Sequence, residues 1–401
     1  MKILLVDVDS KIPNLALMKL STYHKSLGDS IELLKLNLPG YPHNRKFKSV
    51  DAKGFDKVYV STIFTVNQSK YEILNNDNVE YGGTGYDLTV KLSQEIDDLP
   101  EDYSIYPDNN ISYGYITRGC IRNCSFCFVP KKEGKLSYYN DWQKILQEGH
   151  KQIKFLDNNF LAYENHKEIL QELIDAKVKV EFNQGLDIRL IDEENSELLK
   201  KLKYGDKYTF AFDNIKDEKI IVEKLRNYLS WGQNWRLRLF IYCNADMSLS
   251  DVIYRIMFCK KNKIMPYLMR DKNCWLDLNQ KDFSTDLAGF VNQPNIIKKL
   301  DFEEYLVKRH NQNNKELQKF YIDIRTYCNW HVYFKEALIS QHMIEPLKVK
   351  KDFYGDTFKE WLDYHYKEKH LTKNSYNRIL TSLKPWEDNY AEPNYLVWGK
   401  A

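Results

Sequence analysis

Three of the chain's seven cysteines fall within eight residues, as Cys120-Ile-Arg-Asn-Cys124-Ser-Phe-Cys127. Thiolates are soft ligands, and so close a group selects iron–sulfur clusters or zinc over oxygen-loving cations. The count matters as much as the spacing. Three thiolates fill three corners of a cubane cluster and leave one iron open, as expected where a metal site must bind a substrate. Two plainer readings compete: a zinc site completed by a distant Cys or His, and small buried thiols used as packing. The other cysteines, Cys243, Cys259, Cys274 and Cys328, lack mutual CxxC spacing, so a second cluster is not expected. Cys243 ends a strand-like run and is placed to face a cavity. Cys259 lies in an apolar helical stretch and reads as core. Cys328 with His331 makes half a zinc site, with no second half evident.

A cysteine loop needs a frame. Strand-like runs recur at 112–118, 152–157, 178–182, 208–212, 237–242 and 264–269, separated by helical stretches at 141–150, 166–176, 194–203, 217–229 and 248–261. Six such units predict an α/β fold with a partial (β/α)6 TIM-like barrel, in which reactive groups stand where strands end. The cysteine loop directly follows the first of these strands. Ahead of it, strands at 2–8, 31–36, 57–61 and 79–81 accompany a helix at 14–27, set between Pro13 and Gly28. That alternation predicts a small parallel, Rossmann-like α/β layer, ending in Gly82-Gly83-Thr84-Gly85. Beyond about 296 the alternation stops. Helices are expected at 302–310, 315–327, 331–341 and 357–369, dense with aromatics such as Trp330, Trp361, Trp386 and Trp398. Expected regions are therefore 1–105 (Rossmann-like), 106–295 (barrel) and 296–401 (helical).

Polar residues at the other strand ends complete the candidate set. Asp157-Asn158-Asn159 follows the second strand, and a carboxylate with two amides suits an ammonium group. Asn-Asn after a strand is also ordinary turn chemistry. After the third strand stands Asn183-Gln184-Gly185-Leu-Asp187-Ile-Arg189, where Arg189 either clamps a carboxylate or phosphate or pairs with Asp187 or Asp192. Asp213-Asn214, Cys243-Asn244 and Arg270-Asp271 end the remaining strands and are weaker signals.

CxxxCxxC with the aromatic Phe126 before its last cysteine resembles the radical S-adenosylmethionine enzymes. The resemblance implies that Cys120, Cys124 and Cys127 hold a four-iron four-sulfur (4Fe-4S) cluster. Its open iron would chelate S-adenosylmethionine, whose reductive cleavage releases a 5′-deoxyadenosyl radical that modifies a substrate. Asp157 and Asn158 stand where the family contacts the cofactor's amino group, and Gly185–Arg189 is similar to a "GLxxR" turn of several members. Arg189 would then face a carboxylate of cofactor or substrate, and Asp213 a ribose hydroxyl. A low-potential donor of flavodoxin or ferredoxin type is implied as partner. The first region is similar to cobalamin-binding domains, but their DxHxxG loop is absent. His24 reads as a helix-surface residue and His43 as a loop residue, so a degenerate domain competes with a cobalamin site. No cysteine precedes Cys120, which argues against a methylthiotransferase.

Composition sets the outer bounds. The 401 residues suffice for two or three domains, and no apolar run approaches a membrane span. The N-terminus carries Asp7 and Asp9 and reads as a strand, not a signal peptide. An odd cysteine count and an exposed cluster predict a reducing, cytoplasmic setting. A net charge of +3 names no nucleic-acid partner. Two other classes stay open: a nucleic-acid-modifying enzyme guided by the aromatic tail, and an electron-relay module that does not turn over S-adenosylmethionine.

Overall fold

Five of the six residues of the first strand, β1 (Lys2–Asp7), are buried. A strand covered on both faces belongs at the centre of a parallel sheet, and β1 lies there. The computed structural model describes residues 1–41, 45–277, 281–312, 314–315, 317–318, 357–393 and 396. They form a mixed α/β protein with two compact units, Met1–Thr209 and Phe210–Ala401. His43, Trp330, Cys328, His331, Trp398, the expected helix at 331–341 and nearly all of that at 315–327 lie outside the described residues.

In the first unit, β1 is followed by β2 (Ser30–Lys35), β3 (Lys48–Asp51), β4 (Lys57–Ser61), β5 (Tyr71–Leu74) and β6 (Val79–Gly82). The main sheet has the order β2-β1-β4-β6, all parallel. Ile3 and Leu5 pack on Leu17 and Leu20 of the helix Leu15–Ser26, while Leu4 and Val6 pack with Val50, Val58 and Val60. Asn14 caps that helix through Leu17 N, and Gly28 ends it at φ +79°. His24 corrects an expectation. It is 3% exposed, with Nδ1 2.7 Å from Asp29 and Nε2 3.0 Å from the Tyr59 hydroxyl. It shares the buried helix face with Leu17, Leu20 and Ser21. The parallel pair β3-β5 was not foreseen.

The unit continues with β7 (Ser112–Gly114), β8 (Thr117–Arg118), β9 (Ser137–Tyr138), β10 (Gln152–Phe155) and β11 (Lys179–Phe182). A second parallel sheet has the order β11-β10-β7, with β8 and β9 as an antiparallel pair beside it in sequence. In β10 and β11 every second residue is buried: Ile153, Phe155, Val180 and Phe182. The helix expected at 141–150 is only Trp142–Ile145. The residues after Leu146, Gln147-Glu148-Gly149-His150, offer no aliphatic side chain to bury, and Gly149 turns the chain at φ +85°.

The division between units falls within β12 (Tyr208–Ala211). The second unit contains β13 (Leu237–Cys243) and β14 (Met265–Arg270), in the sheet order β12-β13-β14 with β13 and β14 parallel. Arg255 of the helix Leu249–Lys261 is fully buried and donates to the Phe212 and Tyr242 carbonyls, satisfying strand ends that water cannot reach. Helices Lys281–Val291, Phe302–His310, Phe358–Lys367 and Lys373–Asn389 follow. Trp361 and Trp386 are buried, with the Trp386 ring tilted against Phe302 at 4.6 Å, so both serve helix packing. Asp286, fully buried, gathers Arg309, His310, Arg378 and Ser382 around one carboxylate.

Candidate metal centre

Strand register builds the site. Gly114 of β7 and Phe182 of β11 both lie level with Phe155 of β10. The segments that leave these three strands therefore emerge along one edge of the sheet, carrying Cys120–Cys127, Asp157–Asn159 and Asp187–Arg189. Phe155, Phe160 and Phe182 stack beneath them with ring centroids 4.7–5.5 Å apart.

Asp157 is the root of the cysteine loop. Its Oδ1 accepts from Thr117 N at 2.6 Å and the Thr117 hydroxyl at 2.7 Å, and its Oδ2 from Ile116 N at 3.1 Å. This explains why the expected strand 112–118 divides into β7 and β8: its amides turn to a side chain instead of a neighbouring strand. Burial opposes ionisation and outweighs those hydrogen bonds, pushing the Asp157 carboxyl up to about 6. Both of its oxygens are thus engaged in shaping the chain just ahead of the cysteines. That makes it a positioning residue for the cysteine loop.

The loop itself spans the hairpin between β8 and β9. Gly119 takes φ +80°, and a Cβ there would collide with the Lys135 and Gly134 carbonyls. Cys120 N donates to Gly134 O at 3.3 Å and closes the base. Gly119→Ala is expected to cost more than about 1 kcal/mol, read as a lower urea midpoint, because both φ and space reject the methyl. Next to the loop's short helix Val129–Lys132, Lys132 Nζ donates to Thr84 Oγ1, tying the loop to the Gly82–Gly85 turn. Gly83 (φ +96°) lets that turn press onto the Thr62 backbone.

A third hold comes from Arg122, between the first two cysteines. Its Nε donates to Asp187 Oδ2 at 2.8 Å, while Arg189 grips the same carboxylate at 2.7 and 3.1 Å. Of the pairings open for Arg189, that with Asp187 is formed. Burial opposes the Asp187 charge, but hydrogen bonds from both guanidiniums hold its carboxyl below the usual range. Arg122→Ala is expected to lower stability by about 1 kcal/mol after screening, with a smaller effect at high salt, in denaturant titrations. The pairing of Arg122 with Asp187 did not stand out in the sequence, since 65 residues separate them.

The thiols are half-buried. Cys120 Sγ receives Arg122 N at 3.3 Å and Asn159 Nδ2 at 3.5 Å. Such N–H donors suit a sulfur that carries charge. Beside it, the buried Oδ1 atoms of Asn158 and Asn159 have no hydrogen-bond partner, an expense that a donor-bearing guest would relieve. Ile121, Phe126 and Phe128 are exposed by 52%, 41% and 51%, an apolar fringe on the same loop. Among the described residues, no group of three His, Cys, Asp or Glu side chains is gathered as a preformed metal site. Ligand type, N–H donors to sulfur and unpaired amide oxygens nonetheless fit a sulfur-bound centre with a polar guest.

No family model and no solved structure matches this chain.

The remaining candidates belong to the second unit. Asp213 Oδ1 accepts from Tyr242 N at 3.0 Å and so helps to end β13. Cys243 is 4% exposed and faces Cys274, and Cys259 is fully buried, as its apolar helix predicted. Asp271 accepts from the Tyr242 hydroxyl, and Arg270 lies over the Trp275 ring. No helix among the described residues is long and apolar enough to cross a membrane.

Proposed function

We propose that this chain is a radical S-adenosylmethionine enzyme in which Cys120, Cys124 and Cys127 hold a four-iron four-sulfur cluster. The observation that carries the reading is the address of the loop. Three thiols in CxxxCxxC spacing leave the end of one parallel strand, level with the polar ends of two others. When bound, the cluster supplies the electron that cleaves S-adenosylmethionine to a 5′-deoxyadenosyl radical.

The chain's own residues bind and orient. Asp157 fixes the loop's root, and Arg122 N with the Asn159 amide eases negative charge on the Cys120 sulfur. The unpaired Asn158 and Asn159 amide oxygens are acceptors for an ammonium donor. Arg122 and Arg189 both meet the Asp187 carboxylate beside the loop, and guanidiniums are suited to a carboxylate guest. Phe126 and its apolar neighbours would exclude water once covered. The same reading takes β7, β10, β11, β12, β13 and β14, with their intervening helices, as a partial (β/α)6 barrel. It also requires a flavodoxin- or ferredoxin-type electron donor in a reducing, cytoplasmic setting. Burial of Trp361 and Trp386 removes two of the aromatics that had suggested base stacking.

The test is anaerobic reconstitution of the full chain with iron and sulfide. The expected product is a brown protein with about four irons per chain that releases 5′-deoxyadenosine from S-adenosylmethionine under dithionite. A colourless, iron-free preparation, or zinc on the three thiols, would overturn the assignment.

A further inference from the structure

A second sulfur pair lies in the second unit. Cys243 ends β13, and Cys274 sits in the short helix Asn273–Leu276 just beyond β14. The two strands run parallel with Cys243 level with Arg270. The chain then folds back over the strand end. Asp271 N donates to Cys243 O at 2.8 Å, and Cys274 N donates to Asp271 O at 3.1 Å. The Asp271 carboxylate holds this corner from both sides, accepting from Asn273 N at 3.0 Å and the Tyr242 hydroxyl at 2.9 Å. As a result two thiols 31 residues apart in sequence stand 3.9 Å apart, sulfur to sulfur, at 4% and 2% exposure.

Buried thiols are usually inert packing, and Cys259, fully buried in the same unit, is a case in point. The Cys243–Cys274 pair differs in that each thiol has the other as a partner. Arg270 lies level with Cys243 on the neighbouring strand and donates to Ser284 O at 3.1 Å. The hydrogen bond with Cys243 draws the Cys274 thiol below its ordinary range, with Arg270 adding to the effect. That bond and burial push Cys243 up, and burial alone pushes Cys259 up. With the sulfurs 3.9 Å apart, an attacking and a resolving thiol are both in place.

We propose that Cys243 and Cys274 form a peroxide-reactive dithiol that closes to a reversible disulfide. The Cys274 thiolate attacks one oxygen of hydrogen peroxide. An S–O bond forms, the O–O bond breaks, and the departing hydroxide takes up the thiol proton as water. Cys243 sulfur then attacks the Cys274 sulfenic acid; the S–S bond forms, the S–O bond breaks, and a second water leaves with the Cys243 proton. Two thiols lose two electrons and one peroxide becomes two waters. To form the bond, the sulfurs must close from 3.9 Å to about 2 Å. None of this rests on the cluster.

The test treats the full-length, unsubstituted chain with a few equivalents of hydrogen peroxide, alkylates the remaining thiols and maps the digest by mass spectrometry. A Cys243–Cys274 linked peptide is expected, reversed by dithiothreitol and formed about tenfold faster than any oxidation of Cys259. In Cys243→Ser, a dimedone-type probe should label Cys274; in Cys274→Ser, Cys243 should stay unlabelled. Recovery of both cysteines as intact thiols, equal oxidation of Cys259, or linkage to the loop cysteines instead would overturn the proposal. Because the mapping uses the unsubstituted chain, it decides the matter even if a serine variant does not fold.

Discussion

Cys124→Ala is expected to abolish S-adenosylmethionine cleavage while the far-ultraviolet circular dichroism spectrum stays unchanged. Cys124 is half-buried in the middle of the loop, whose ends are held elsewhere by Asp157, Asp187 and Thr84. Losing its sulfur should therefore leave the surrounding sheet intact. Two thiolates cannot hold three corners of a cubane, so reconstituted iron should fall steeply and 5′-deoxyadenosine should fall to the level of the buffer control. Full retention of iron and product would mean that this loop is not the cluster site. Retention of one zinc per chain at Cys120 and Cys127 would point to the structural-metal reading instead.

Asp157→Asn should reduce iron uptake without touching any ligand. The amide keeps one acceptor oxygen but turns an NH2 group toward a donor, leaving an Ile116 or Thr117 amide unsatisfied in a fully buried place. A loss of about 1–3 kcal/mol is expected in denaturant titrations. The pH dependence supplies a second readout. The folded-state value of about 6 lies above the ordinary aspartate value, so the native protein binds the extra proton. The stability that this proton brings is full below about pH 4 and fades as pH climbs through 6. Wild type minus Asp157→Asn should therefore shrink over that window. A flat difference with unchanged iron content would remove Asp157 from its positioning role.

Local patterns were legible in the residues, and distant pairings were not. Strands β10 and β11 announce themselves because β-branched and aromatic residues recur between turn signals, and the helix Phe302–His310 matches its expected bounds. β3 and β5 escaped notice because both are only four residues long, and Lys-Ser-Val-Asp is mostly polar, so no period-two pattern stands out. His24 was misread although its position, seven residues after Leu17 and four after Leu20, follows the buried face of its helix. At the candidate centre, the cysteine spacing is a local signal and could be read directly. That Asp157 serves backbone amides 40 and 41 residues away could not, since only the register of β7 against β10 brings them together. Arg189 shows the same limit. Residues alone offered it either Asp187 or Asp192 as an ion-pair partner, and the turn after β11 puts the Asp187 carboxylate within 2.7 Å.

The three holds on the cysteine loop also bear on how the centre would survive injury. Ordering a free backbone residue costs about 1–2 kcal/mol, so a long slack segment would demand a heavy entropic outlay at each filling. Here Thr117 is tied down ahead of the first thiol, Arg122 between the first two, and Lys132 after the last. Only the short stretch between Arg122 and Lys132 would have to settle anew. On the proposed reading, air that strips the cluster would leave the loop's anchor points in place, and refilling would be a local repair rather than a refolding.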